Sequence, residues 1–133
     1  MLPVTPDRST EVHVWGSTRR AGTILFSHGA GSSPRFYDRV VRPWAEAGFR
    51  VLAPLHVDSR EHPRTADYPG MAGWRARLED MHALADRLGD APWIAAGHSY
   101  GGLTALVMGG AAAAVPEGWI GAMDRPQVAA AIA

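Results

Sequence analysis

Three short, nearly continuous apolar runs constrain the fold of this chain more than any other feature: Thr23 to Ser27 (TILFS), Phe49 to Leu55 (FRVLAPL) and Trp93 to Gly97 (WIAAG). Runs of this length without polar alternation suit strands buried on both faces, an environment supplied by parallel sheets under crossover helices. The stretches between them read as helices and loops. After TILFS, Ser33 is expected to cap a helix and Pro34 to open it, since proline lacks only an N–H that has no helical partner at that position. That helix is expected to carry Phe36, Val40, Val41 and Trp44 on one face, to bend or split at Pro43 and to end at Gly48. Met71, Trp74, Leu78, Met81, Ala85 and Leu88 recur at helical spacing, and Gly89 stops the pattern. Glu11 to Ser17 alternates as an early strand should, Ser99 to about Gly109 reads as a further helix, and Gln127 to Ala133 as a last apolar strand. With 133 residues there is room for one domain, 1–133. The fold class is α/β, a mostly parallel sheet with helices on both faces.

Charge narrows the partners. Thirteen basic residues balance thirteen acidic ones, so no net field draws the chain to nucleic acid or to an anionic membrane. Every basic residue is arginine, and the arginines are scattered from Arg8 to Arg125 rather than gathered into an anion site. Cysteine is absent, which excludes a disulfide framework and a thiolate metal centre. The opening MLPVTPDRST lacks the basic and apolar segments of a secretory signal. A cytoplasmic location, a small-molecule partner and no cofactor or metal are the expectations.

Two motifs carry chemistry. Gly97-His98-Ser99-Tyr100-Gly101 matches G-x-S-x-G between a buried strand and a helix. In such a turn a serine is held in a strained conformation with its hydroxyl projecting, and glycines on either side let strand and helix approach. The alternative is a tight turn with an incidental serine. The second motif, His28-Gly29-Ala30-Gly31, directly follows TILFS. Acyl transfer develops negative charge on a carbonyl oxygen and needs N–H donors aimed at it. The backbone N–H groups of Ala30 and Tyr100 are the candidates, with Ser99 as nucleophile. A phosphate-binding turn is the alternative for Gly29 to Gly31, but Pro34 stands where G-x-G-x-x-G needs its third glycine and no G-K-[ST] follows.

In these motifs, ILFSHGAGSS and GHSYGG, and in their order along alternating strands and helices, the chain resembles the α/β-hydrolase family, in particular its dienelactone hydrolase-like and chlorophyllase-like branch. The resemblance runs from about Gly22 to Ala133 and covers the first half or so of the family's domain. It implies hydrolysis of esters or related acyl bonds, without a cofactor, by a serine nucleophile and a backbone oxyanion hole.

The family places an acid and then a histidine after its nucleophile. Here only Glu117 and Asp124 follow Ser99, and all six histidines precede it. The expectation is a C-terminally incomplete hydrolase domain, inactive or feebly active alone, because a serine hydroxyl is a weak nucleophile without a base. A non-catalytic binding or interaction module is the alternative, and a nucleotide binder a lesser one. Asp124 precedes the last strand and does not fit the acid's place. Among the upstream histidines, His98 is expected to turn away from Ser99, His28 to stabilise its own loop and His82 to flank its helix. His56, Asp58 and His62 have the side chains of metal ligands but not a metal-site spacing. Most of the five tryptophans are expected in the core. The loop from His56 to Gly70 leaves the carboxyl end of a strand, where open α/β sheets bind ligands, and Asp58 and Arg60 are its candidate substrate contacts.

Overall fold

A computed structural model describes residues 1–133. Seven strands, β1 (Leu2–Thr5), β2 (Arg8–Thr10), β3 (Val12–Trp15), β4 (Gly22–Ser27), β5 (Phe49–Pro54), β6 (Trp93–Gly97) and β7 (Val128–Ile132), alternate with three helices, α1 (Asp38–Glu46), α2 (Met71–Leu88) and α3 (Tyr100–Met108). The main sheet has the order β3-β5-β4-β6-β7. Strands β5, β4, β6 and β7 run parallel, and β3 closes one edge antiparallel to β5.

The apolar runs feed both faces of this sheet. Leu25 and Ala95 point to the side where Trp74, Leu78 and Met81 of α2 meet Ala105 and Met108 of α3. Their neighbours Ile24, Phe26 and Ala96 point the other way, to Val41 of α1. At roughly 1.5–3 kcal/mol for each large apolar side chain removed from water, these two layers supply the main driving force for folding. No helix is long and apolar enough to cross a membrane.

Local expectations need three corrections. The chain begins with a β1–β2 hairpin that strands of four and three residues are too short to announce by period. The segment after Ser33 starts as a turn of 3-10 helix (Pro34–Tyr37), and Ser33 makes no side-chain cap bond. Finally, α1 buries only Val41 and half-buries Trp44, whereas Phe36 and Val40 are 61% and 50% exposed. The 3-10 turn shifts the angular register, so Phe36 no longer shares the face of Val41. Pro43 does not split α1; the helix ends at Glu46, and the Ala47 N–H closes on the Pro43 carbonyl at 3.0 Å.

Candidate active site

Strand β6 ends at Gly97 and α3 begins at Tyr100, so two residues make the whole reversal. The Gly101 N–H bonds the His98 carbonyl at 2.9 Å, and the His98 N–H bonds the Ser27 carbonyl of the neighbouring strand at 3.2 Å. Ser99 is forced to φ +56° and ψ −118° and is the only non-glycine residue with positive φ. Such a conformation costs on the order of 1–3 kcal/mol and persists only where its surroundings enforce it. They do so here by lack of room. A Cβ on Gly97 would run into the backbone of Gly101, and one on Gly101 into the Ser27 carbonyl. Ser99 itself is exposed.

The loop after β4 turns back through Gly29 to Ser32, with the Ser32 N–H bonding the Gly29 carbonyl at 3.1 Å and Gly31 at φ +70°. The same Gly29 carbonyl accepts from His28 Nδ1 at 2.7 Å. In a trans peptide the N–H points opposite to the C=O. Anchoring the Gly29 oxygen to the buried His28 ring therefore turns the Ala30 N–H outward. Tyr100 is the first residue of α3, and its N–H has no intrahelical acceptor. The Ser99 carbonyl, on the other side of that peptide, takes the Leu103 N–H at 3.1 Å. Ala30 and Tyr100 line one cavity of about 590 Å³, together with Asp58, Tyr68, Met71, Trp74 and Leu103. Trp74 stacks on Tyr100 at 5.8 Å between ring centroids, so one of the five tryptophans does reach the cavity.

Asp58 sits in the cavity wall, but its carboxylate is engaged. Arg77 Nε and Nη2 each donate to one of its oxygens at 2.8 Å, and the Gly31 N–H reaches Oδ2 at 3.3 Å. Arg60 is exposed, bonds the Gly31 carbonyl through its own N–H at 3.3 Å and stays outside the cavity lining.

A buried Ser–His–Asp line joins the end of β4, the residue after β5 and α2. Ser27 Oγ is 2.8 Å from His56 Nε2, and His56 Nδ1 is 2.8 Å from Asp80 Oδ2. Arg8 donates to the other Asp80 oxygen, and Arg77 Nη1 donates to Ser27 Oγ at 3.1 Å. Ser27, His56 and Asp80 are all fully buried, so no substrate reaches them and the line serves as a polar core. Burial, then the charge of Arg77, holds the His56 imidazole well below its usual pKa. Burial raises the Asp80 carboxyl to about 7 against the pull of Arg8. His28 is lowered to about 4 by burial and then by Arg77, and its neutral Nε2 accepts the His56 N–H at 3.0 Å.

The remaining histidines take separate paths. His98 Nδ1 meets the Tyr37 hydroxyl at 3.0 Å, and that hydroxyl accepts the Gly29 N–H at 3.0 Å. His62 Nδ1 accepts the Arg64 N–H, and His82 Nε2 donates to the Met123 carbonyl. His56, Asp58 and His62 thus turn to three different partners, and no three His, Cys, Asp or Glu side chains converge as a metal site. Arg77 and Asp80 escape the sequence reading, although both interrupt the apolar stripe of α2 between Trp74 and Met81. A charge at such a position signals a buried polar partner.

Residues 24–133 match the alpha/beta hydrolase family. An 86-residue stretch is 33% identical to the sn-1-specific diacylglycerol lipase of Mus musculus, covering 64% of this chain and 27% of that protein. The proline iminopeptidase of Mycobacterium smegmatis superposes with a TM-score of 0.62 at 20% identity, over 79% of this chain and 38% of that one. The monoacylglycerol lipase of Paleococcus ferrophilus gives 0.56 at 21%, over 72% and 35%. The chain thus spans well under half the length of each protein it is compared with. The matched residues contain both the loop from His28 to Gly31 and the turn at Ser99, and the chain belongs to the α/β-hydrolase family.

Proposed function

We propose that this chain carries the nucleophile and oxyanion hole of a serine hydrolase acting on carboxylic esters or related acyl bonds. The observation that carries the reading is Ser99, held at φ +56° on an elbow whose next residue shares a cavity with Ala30. Ser99 Oγ attacks the substrate carbonyl carbon, and the carbonyl oxygen takes up charge facing the Ala30 and Tyr100 N–H groups. Two such preorganised donors are worth a few kcal/mol of barrier lowering each. The hydroxyl proton needs a base, and in the family's order that histidine and its acid follow the nucleophile. His98 does not fill the role. Its Nδ1 is already engaged with the Tyr37 hydroxyl, 3.0 Å away.

The cavity indicates the acyl partner. Its volume lies within the ~300–1,000 Å³ range of small-ligand sites, its aromatic and aliphatic walls come from Trp74, Tyr100, Met71 and Leu103, and its one acid is neutralised by Arg77. An uncharged, apolar group fits this wall. The lipase similarity supports an ester substrate, while ILFSHGAGSS and GHSYGG keep the dienelactone hydrolase-like and chlorophyllase-like branch as the finer expectation. A nucleotide at Gly29 to Gly31 is disfavoured, because the Asp58 carboxylate occupies the Gly31 N–H that a phosphate would need. A non-catalytic binding module would use the same cavity without turnover.

A fluorophosphonate probe, with imidazole added as an external base, tests the nucleophile. Labelling is expected at Ser99 and is abolished in Ser99→Ala. Labelling that persists in that variant, or none at Ser99 under any base concentration, overturns the assignment.

A further inference from the structure

An oxyanion hole built from two segments works only if the segments keep a fixed distance and angle, and Ala30 and Tyr100 lie 70 residues apart on different elements. On one side the two segments are tied through the His98 N–H on the Ser27 carbonyl and through the Tyr37 hydroxyl between Gly29 and His98. On the cavity side, the group that touches both is the Arg77 side chain from the middle of α2, fully buried.

Its guanidinium reaches both halves. On the loop side, Nη1 donates to the His28 carbonyl at 2.7 Å. Nε and Nη2 grip Asp58, whose Oδ2 receives the Gly31 N–H. The residues two before and one after Ala30 are thereby tied to one plane of donors. On the helix side, the guanidinium carbon lies 4.2 Å from the centre of the Tyr100 ring. Trp74, one helical turn before Arg77, stacks on the same ring, and both rings line the cavity. A cation over an aromatic face is attracted by the ring quadrupole, more strongly where water is excluded.

We propose that Arg77 is a positioning residue that sets the two oxyanion donors, Ala30 and Tyr100, in register with each other, with Asp58 relaying its hold to the loop. The inference rests on the serine hydrolase reading above. It also gives Asp58 a different task from substrate contact, since its carboxylate braces the wall it belongs to. Only arginine fits the position. A lysine ammonium has three donors on one atom and cannot span Asp58, the His28 carbonyl and Ser27 Oγ from a single plane.

Amide hydrogen exchange by NMR on the 133-residue chain tests the brace without requiring turnover. The reporters are Gly31 and Ser32 on the loop and Gly101 and Leu103 at the start of α3, all bonded amides. Leu25 and Val51 in the core strands report global opening. In Arg77→Lys, both reporter pairs are expected to exchange about tenfold faster relative to the core amides, the size expected from losing a charge-assisted bond. In Asp58→Asn, only the loop pair should accelerate, and this milder variant keeps the test alive should Arg77→Lys fold poorly. An effect of Arg77→Lys no larger than that on Leu25 and Val51 overturns the proposal, as does an effect confined to one pair. Where Ser99 accepts a fluorophosphonate, Arg77→Lys should also lower the maximal labelling rate without changing the half-saturating probe concentration. Failure of wild-type labelling would count against the nucleophile, whereas the exchange data speak to the brace alone.

Discussion

The imidazoles of His28 and His56 sit in the core as neutral acceptors, and their protonation in the unfolded chain has a cost that depends on pH. Both have pKa values depressed in the folded state, by burial first and by Arg77 second. A depressed group contributes stability above its unfolded value near 6.5 and loses it as pH falls, for His28 down to about 4. Asp80 acts in the opposite sense. Raised to about 7 by burial, its contribution is present at low pH and lost as pH rises from about 4 toward 7. Between pH 4 and 6.5 the unfolded chain gains two imidazole protons while the folded chain holds one carboxyl proton. Stability should therefore fall on acidification across this window. Urea midpoints measured from pH 7 to pH 4.5 should decline, and His28→Asn should flatten part of the slope. A midpoint that rises toward pH 4.5 would mean that Asp80 dominates. None of this was legible in the sequence, because a histidine in HGAG or after FRVLAPL carries no mark of its burial. The strained turn at Ser99 was legible, because glycine at 97 and 101 is a steric demand that the residue letters state directly.

At the scale of elements, the strand-to-helix crossing is the tightest junction in the molecule. Gly101 lies against the Ser27 carbonyl of β4 with no space for a Cβ, so α3 must move off the sheet to admit one. Gly101→Ala should destabilise the chain by about 3 kcal/mol, the upper range for overpacking a close contact. A thermal midpoint unchanged from wild type would show that the crossing is looser than described. Elements with a strong local signal, the helical period of α2 and the continuous apolar run of β4, matched their expected spans closely. The β1–β2 hairpin and the start of α1 did not. Thr5-Pro6-Asp7-Arg8 contains no glycine turn signal, and the value of β2 lies in delivering Arg8 to Asp80, a contact 72 positions away that no local window contains. A proline at the first helical position points to an α-helix start, whereas the chain uses one 3-10 turn to bring Tyr37 under Gly29 and His98.

Across the whole molecule, the sheet is covered unevenly. Helices α2 and α3 cover one face, while α1 alone serves the other, where Phe36, Val40 and Ile132 remain half or more exposed beside a cavity of about 570 Å³. Strand β7 is an outer strand with a row of alanines and an isoleucine, and it pairs only with β6. Flat apolar edges of this kind template pairing with other chains, and a charge on the edge suppresses it. Ala130→Lys, at an exposed position of β7, is expected to reduce self-association in sedimentation velocity while leaving far-UV circular dichroism unchanged. Equal association in both proteins would move the sticky surface to the α1 face. The fold class followed from the apolar runs, their alternation with helical segments and the two glycine motifs taken together. The turn at Ser99 and the loop from His28 to Gly31 were legible as junctions after two of those strands. The bracing by Arg77 did not, because it joins β4, the loop after β5, α2 and α3 through side chains whose meeting exists only in three dimensions.

The twisted backbone of Ser99 bears on why the residue is there at all. Glycine would occupy φ +56° without strain, and the chain already uses glycine at nine other positive-φ positions. Mutation without selection for chemistry would let this site relax toward glycine, since the exchange gains stability and loses nothing that the sheet requires. A hydroxyl-bearing side chain kept in that posture is a standing inefficiency of the fold, and the proposed nucleophile role gives a reason for the burden.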